Sequence, residues 1–155
     1  MQDAFQTIRN DCGAKIGIAR PLSPEGQVAL GLDEIEVGLS YVEGADEVHL
    51  HSIIGALPDE PTAAFFSVLM AANHMGAMTE GGAIGCDLEE QLITLNRRIP
   101  AAWLTLPRFE TVLERFADLA AVWRDNYAAL ITTAEAAEAA GNDAAAAGGD
   151  SWIRM

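Results

Sequence analysis

Basic residues are scarce in this 155-residue chain: one lysine, Lys15, and eight arginines stand against 23 Asp and Glu, for a formal net charge of -14. Nucleic acids and anionic membranes are bound through clustered Lys and Arg. No basic stripe runs along this sequence, so neither is expected as a partner. Cysteine is equally sparse. Cys12 and Cys86 alone make no disulfide framework, which points to a reducing cytoplasm. Long apolar runs are missing too: the most apolar stretch, around Ala63–Ala72, is shorter than the roughly 20 residues of a spanning helix. The N-terminal Met-Gln-Asp-Ala-Phe-Gln has neither the basic start nor the apolar core of a signal peptide. What is abundant is apolar surface. Half of the residues are hydrophobic, which excludes wholesale disorder, and the length suits a single domain. A hydrophobic composition with a large like-charge excess calls for an explanation.

Hydrophobic periodicity gives the elements. Phe5, Ile8, Cys12 and Ile16 recur at helical spacing after Asp3, an N-cap residue type, although Gly13 and Gly17 loosen that helix. Pro21, Pro24 and Gly26 then mark a loop. From Gln27 the period becomes two. Val28, Leu30 and Leu32 lead through Asp33-Glu34 to Ile35, Val37, Leu39 and Tyr41, and Glu43–Asp46 turns the chain into Val48–Leu57. Short polar connections predict an antiparallel meander. Pro58 and Pro61 open a helix to about Met75 that is apolar all round, with no charge between Glu60 and Glu80. Such a helix must be covered on both sides, and a second copy of the chain is an economical cover for the side the sheet leaves free. Ala83–Leu88 and Gln91–Ile99 predict a hairpin, and Phe109, Leu113, Phe116, Ala120, Trp123 and Tyr127 line a last amphipathic helix. From Thr133 the composition collapses to Ala, Gly, Glu and Asp, predicting a domain over residues 1–132 and a flexible tail over 133–155 that ends near Trp152-Ile153. The fold class is therefore α+β, in the order α-β-β-β-α-β-β-α.

Chemistry-bearing motifs are few. His49 and His51 project from one face of a strand, but a metal site needs three or four ligands, and nothing in the sequence brings His74 or Cys86 to them. Cys12 and Cys86 read as small buried hydrophobes, since neither has a basic neighbour that would make a reactive thiolate, apart from the nearby Lys15. Gly81-Gly82-Ala83-Ile84-Gly85 precedes a strand and lacks the Lys of a phosphate-binding loop. Glu89-Glu90 and Asp33-Glu34 read as hairpin tips. No catalytic residue, metal or cofactor is assigned.

The ordered set of elements resembles the CesT/Tir type of class I chaperones from bacterial type III secretion, over roughly residues 3–130. The matching stretches are Gly26–Leu30 running into Ile35–Val37, Ile54–Pro58, Ala71–Asn73, Gly81–Gly85, and Leu95–Pro100 before a helix carrying Phe109 and Trp123. The resemblance implies a homodimer in the bacterial cytoplasm. It implies no catalysis and no cofactor. Such a protein holds the N-terminal chaperone-binding region of a secreted effector in extended form, keeps it soluble and presents it to the secretion apparatus, including its ATPase. It further implies a dimer interface on the middle helix, at Phe65, Phe66, Leu69, Met70, Asn73 and Met75.

Effector contacts are expected from apolar patches, at Phe5 and Ile8 on the first helix and Val28, Leu30, Ile35 and Val37 on the sheet, with strand addition at an edge. Each sheet residue is also a candidate for the core, and Arg97 and Arg98 offer contacts to acidic client residues. Two other readings compete: a dimeric adaptor that sequesters a regulator of the secretion system, and a small metal-dependent enzyme built on His49 and His51. The acidity then fits as the complement that keeps an apolar, partner-binding surface soluble.

Overall fold

A computed structural model describes residues 19–21 and 27–148 of the chain. Its sheet is antiparallel throughout, built from β1 (Ala19–Pro21), β2 (Val28–Leu32), β3 (Ile35–Val42), β4 (Glu47–Ala56), β5 (Ala83–Asp87) and β6 (Leu92–Pro100) in the spatial order β1-β2-β3-β4-β6-β5. The meander and the hairpin thus share one sheet, joined where β6 pairs with β4. β1 is an addition to the five predicted strands. Pro21, read as part of a loop, ends this three-residue edge strand, the position in a sheet where a missing N–H is tolerated.

The reversals follow from residue type. Asp33 and Asp46 take left-handed conformations (φ 51° and 52°) at the β2–β3 and β3–β4 turns, a conformation Asp tolerates. Tyr41 Oη donates to Asp46 Oδ1 at 2.6 Å, tying the second turn to its strand.

Two helices lie among the described residues: α1 (Ala63–Asn73) and α2 (Leu106–Gly148). The predicted first helix, with Phe5 and Ile8, falls outside them. Thr62 caps α1, its side chain accepting from Phe65 N at 3.1 Å. The helix ends at Asn73, earlier than predicted, because a short 3₁₀ turn, His74–Gly76, follows, with Met75 at φ 55°. α2 is unbroken at Thr133 and continues to Gly148, through a segment rich in Ala, the strongest helix former. Ala134 is buried, and Ala64 N lies 3.4 Å from its acceptor Glu138 Oε2.

Both helices serve one core. Val28, Leu30, Ile35, Val37, Leu39, Val48, Leu50 and Ile54 from the sheet meet Phe65, Leu69 and Ala72 of α1 and the predicted stripe of α2, Phe109 to Tyr127. A bulge between Ile53 and Gly55 shifts the register of β4. A Cβ on Gly55 would stand 2.2 Å from the Tyr127 ring, so the absent side chain lets that ring lie on the strand. Tyr127 Oη donates to Ala56 O at 2.6 Å.

A titration follows from these contacts. The hydrogen bond to Asp46, with desolvation and the Asp46 and Glu43 charges, raises the Tyr41 phenol to about 12. Burial, then the charge of Cys86, raises Tyr127 to about 12 as well. Raised values favour the neutral phenols, so their stabilising effect is complete below the ordinary value of 10.0 and is lost as pH climbs towards about 12. These are the chain's two tyrosines. Tyrosinate absorbance should therefore develop only near pH 12 in the folded protein; a transition at pH 10 that leaves the fold intact contradicts both contacts.

Candidate protein-binding surface

α1 divides its residues by helical spacing. Phe65, Leu69 and Ala72 point inward and are buried, and Phe65 packs edge-on against Tyr127 at 6.3 Å between ring centroids. Phe66 and Met70, one turn apart, point outward, at 40% and 70% exposure. Met75 (90%) and Met78 (58%) follow in the segment after the helix. Of the six residues the resemblance places at a dimer interface, Phe65 and Leu69 belong to the chain's own core, and Phe66, Met70 and Met75 are exposed. Apolar surface of this kind marks a site of association when it is contiguous and large.

Asn73 does something else. Its Oδ1 accepts from Ile84 N at 2.7 Å and its Nδ2 donates to Ile84 O at 3.1 Å. Ile84 lies on β5, an edge strand. Asn73 therefore occupies backbone groups that would otherwise be open to another strand, one of the ways proteins protect a sheet edge. The other edge, β1, is three residues long and contains a proline. Asn73 thus blocks β5 at Ile84 and β1 offers only three residues, while Arg97–Pro100 of β6 extend past β5 without a strand partner on that side among the described residues. Asn73→Ala should lower stability by about 1–3 kcal/mol, the cost of leaving buried polar groups unpaired, measurable by urea unfolding. It should also speed amide exchange at Ile84.

The four sheet residues expected to meet a client, Val28, Leu30, Ile35 and Val37, come together in the core, none more than 6% exposed. Phe5 and Ile8, their expected partners, lie outside the described residues. The opposite face of the sheet carries His49, His51, Asn96 and Arg98, with Ile53 half-exposed beside them. His49 Nε2 lies 3.2 Å from Glu47 Oε2. The His51 ring rests on Gly38, where a Cβ would come within 2.1 Å of it. Burial lowers the His51 pKa, with the Glu36 charge opposing. Among the described residues no group of three or more His, Cys, Asp or Glu stands close enough to hold a metal ion. Glu89 and Glu90 belong to a turn in which Asp87 Oδ1 accepts from both of their N–H groups at 3.0 Å.

An α+β unit with an antiparallel sheet, a short middle helix carrying exposed Phe and Met, and a long closing helix has clear counterparts. The sequence profile of the Tir chaperone protein (CesT) family matches residues 10–124. This chain belongs to the CesT family. Solved structures of the same fold include the ExsC–ExsE complex, at TM-score 0.68 and 23% identity over 81% of this chain and 94% of that one. The HopA1–SchA chaperone–effector complex follows at TM-score 0.62 and 18% identity, covering 78% and 93%. The Yersinia pestis type III secretion chaperone SycH, in complex with a fragment of YscM2, gives TM-score 0.56 and 13% identity, covering 77% and 98%. Comparison with curated protein sequences gives no match.

One feature of this CesT-family chain escaped sequence reading. The end of β6, the 3₁₀ turn Ala101–Trp103 and the first turns of α2 enclose an apolar cavity of about 570 Å³, lined by Ile99, Trp103, Val112 and the arginines Arg97, Arg98 and Arg108. Trp103 is 68% exposed. The sequence signal was there: a tryptophan between Pro100 and Pro107, off the stripe of either neighbouring element, has no reason to be core. Among the described residues no helix is long and apolar enough to cross a membrane.

Proposed function

We propose that this protein is a non-enzymatic chaperone of a bacterial type III secretion system. In this reading it acts in the cytoplasm as a homodimer, holds the N-terminal region of a secreted effector in extended form and hands it to the secretion ATPase. The match to the CesT family over residues 10–124 carries this reading. The exposed Phe66, Met70 and Met75 support it by offering a second copy an apolar face. In this reading the Ala-rich end of the chain beyond Ala134 and Glu138, which still pack on the domain, takes no part in holding the client. In this reading client binding uses side-chain contacts in surface cavities as well as strand addition, for which Asn73 closes β5 at Ile84. The test is co-expression with effectors encoded beside the gene. A soluble complex that is lost when the effector's N-terminal region is deleted is the expected result. Effectors that remain equally soluble and unbound without this chain overturn the reading.

A further inference from the structure

Cations are rare here, so their placement is informative. Five arginines have described side chains. Arg115 pairs with Glu80 at 2.8 Å, and Arg124 with Glu34 at 3.4 Å and Asp125 at 3.8 Å. The other three, Arg97, Arg98 and Arg108, all line the cavity between β6 and α2, and none has an ion-pair partner among the described residues. In a chain of net charge -14, leaving three cations unpaired around one apolar hollow is the reverse of what composition alone would produce.

The position of Arg108 sharpens this. It sits in the first turn of α2, which carries no acidic residue. A helix N-terminus favours negative charge, so a cation there is mildly unfavourable until an anion joins it. Arg97, which pairs with Leu50 on the α2 side of the sheet, and Arg108 bring planar guanidinium groups suited to paired hydrogen bonds with carboxylates, while Arg98 lines the cavity from the strand end with its side chain on the His49 face. Beneath them Ile99, Val112 and the exposed face of Trp103 offer apolar contact.

We infer that this cavity binds an acidic–apolar peptide segment: one large apolar side chain enters against Trp103, and flanking Asp or Glu carboxylates engage Arg97 and Arg108. The proposal rests on the chaperone reading, in which the segment belongs to the client. α2 runs 43 residues away from the cavity, about 64 Å at 1.5 Å per residue, so the far end of this helix does not cover it.

Two dye-labelled capped peptides test this, one with a Leu-Phe pair between two Glu on each side, the other with Lys in place of Glu. The acidic peptide should bind, by fluorescence anisotropy, and weaken as salt is raised. The lysine peptide should not. Arg97→Glu with Arg108→Glu should weaken binding at least about tenfold, and Trp103→Ala likewise. Arg115→Glu with Arg124→Glu, equal in charge change but outside the cavity, should leave it unaltered. Melting curves check that each variant is folded. No binding of the acidic peptide, or equal binding of both, overturns the proposal. So does a change in solution mass on charge reversal without peptide binding, which assigns the cavity to a second copy. If the peptide fails while a co-expressed effector still binds, only this proposal falls; if no effector binds, the chaperone reading falls with it.

Discussion

Replacing Trp123 with Ala is expected to lower stability by about 3–5 kcal/mol, a large share of the roughly 5–15 kcal/mol that holds a domain of this size together. Two losses add. The indole is buried at 6% exposure in the stripe of α2 that faces the sheet, and a cavity replaces it. Its Nε1–H also donates to Met78 O at 2.9 Å, across 45 residues of sequence. That bond ties the segment after α1 to the closing helix, and the same segment exposes Met75 and Met78. Trp123→Phe separates the two effects. It keeps much of the apolar volume and removes the donor, so it should cost about 1–3 kcal/mol and loosen residues 74–79 in hydrogen exchange. Urea unfolding measures both variants. Equal costs for Ala and Phe would assign the role to the hydrogen bond, and no change in exchange for Phe would show that the bond does not hold this segment.

Much of this fold was legible in the sequence because its elements carry clean periods. The α2 stripe from Phe109 to Tyr127 and the alternation of β2, β3 and β4 needed only the spacing of apolar residues. β1 was not legible: three residues ending in proline carry no alternation, and their pairing with β2 is a matter of tertiary neighbours. The spacing of the middle helix separates one stripe, Phe65, Leu69 and Ala72, from another, Phe66, Met70 and Asn73, but does not say which of them faces the sheet. Phe65 and Phe66 are adjacent and chemically identical, and only the direction of the helix over the sheet decides that one is core and the other surface. Asn73 read as a helix-end residue near an interface. Its actual task, closing the edge of β5 at Ile84, joins positions eleven apart across a reversal that no local pattern encodes. The arginine-lined cavity was half visible, as Arg97-Arg98. Its third cation, Arg108, comes from the next element, and charge clustering across elements is legible only once the chain is folded.

The division of α1 into an inner and an outer face makes neighbouring substitutions diverge, and this decides whether a second copy uses that helix. Leu69→Glu forces a carboxylate into the core beside Phe65 and Ala72 and should cost about 3–5 kcal/mol, as an uncompensated buried charge does. Burial raises such a carboxyl's pKa above its unfolded value. The penalty is therefore full above the raised value and shrinks as pH falls through it, so the variant should regain stability in mild acid relative to wild type. Met70→Glu changes the next residue, 70% exposed in the single chain, and should leave the unfolding curve of that chain almost unmoved. If Phe66, Met70 and Met75 are covered by a second copy, the same change places two like charges at or near the contact, one from each protomer, and should convert a dimer to a folded monomer. Light scattering reads the mass and urea unfolding reads the fold. A wild-type monomer at micromolar concentration removes the homodimer altogether. A Met70→Glu protein that remains dimeric moves the interface off α1, and the exposed methionines then need another partner.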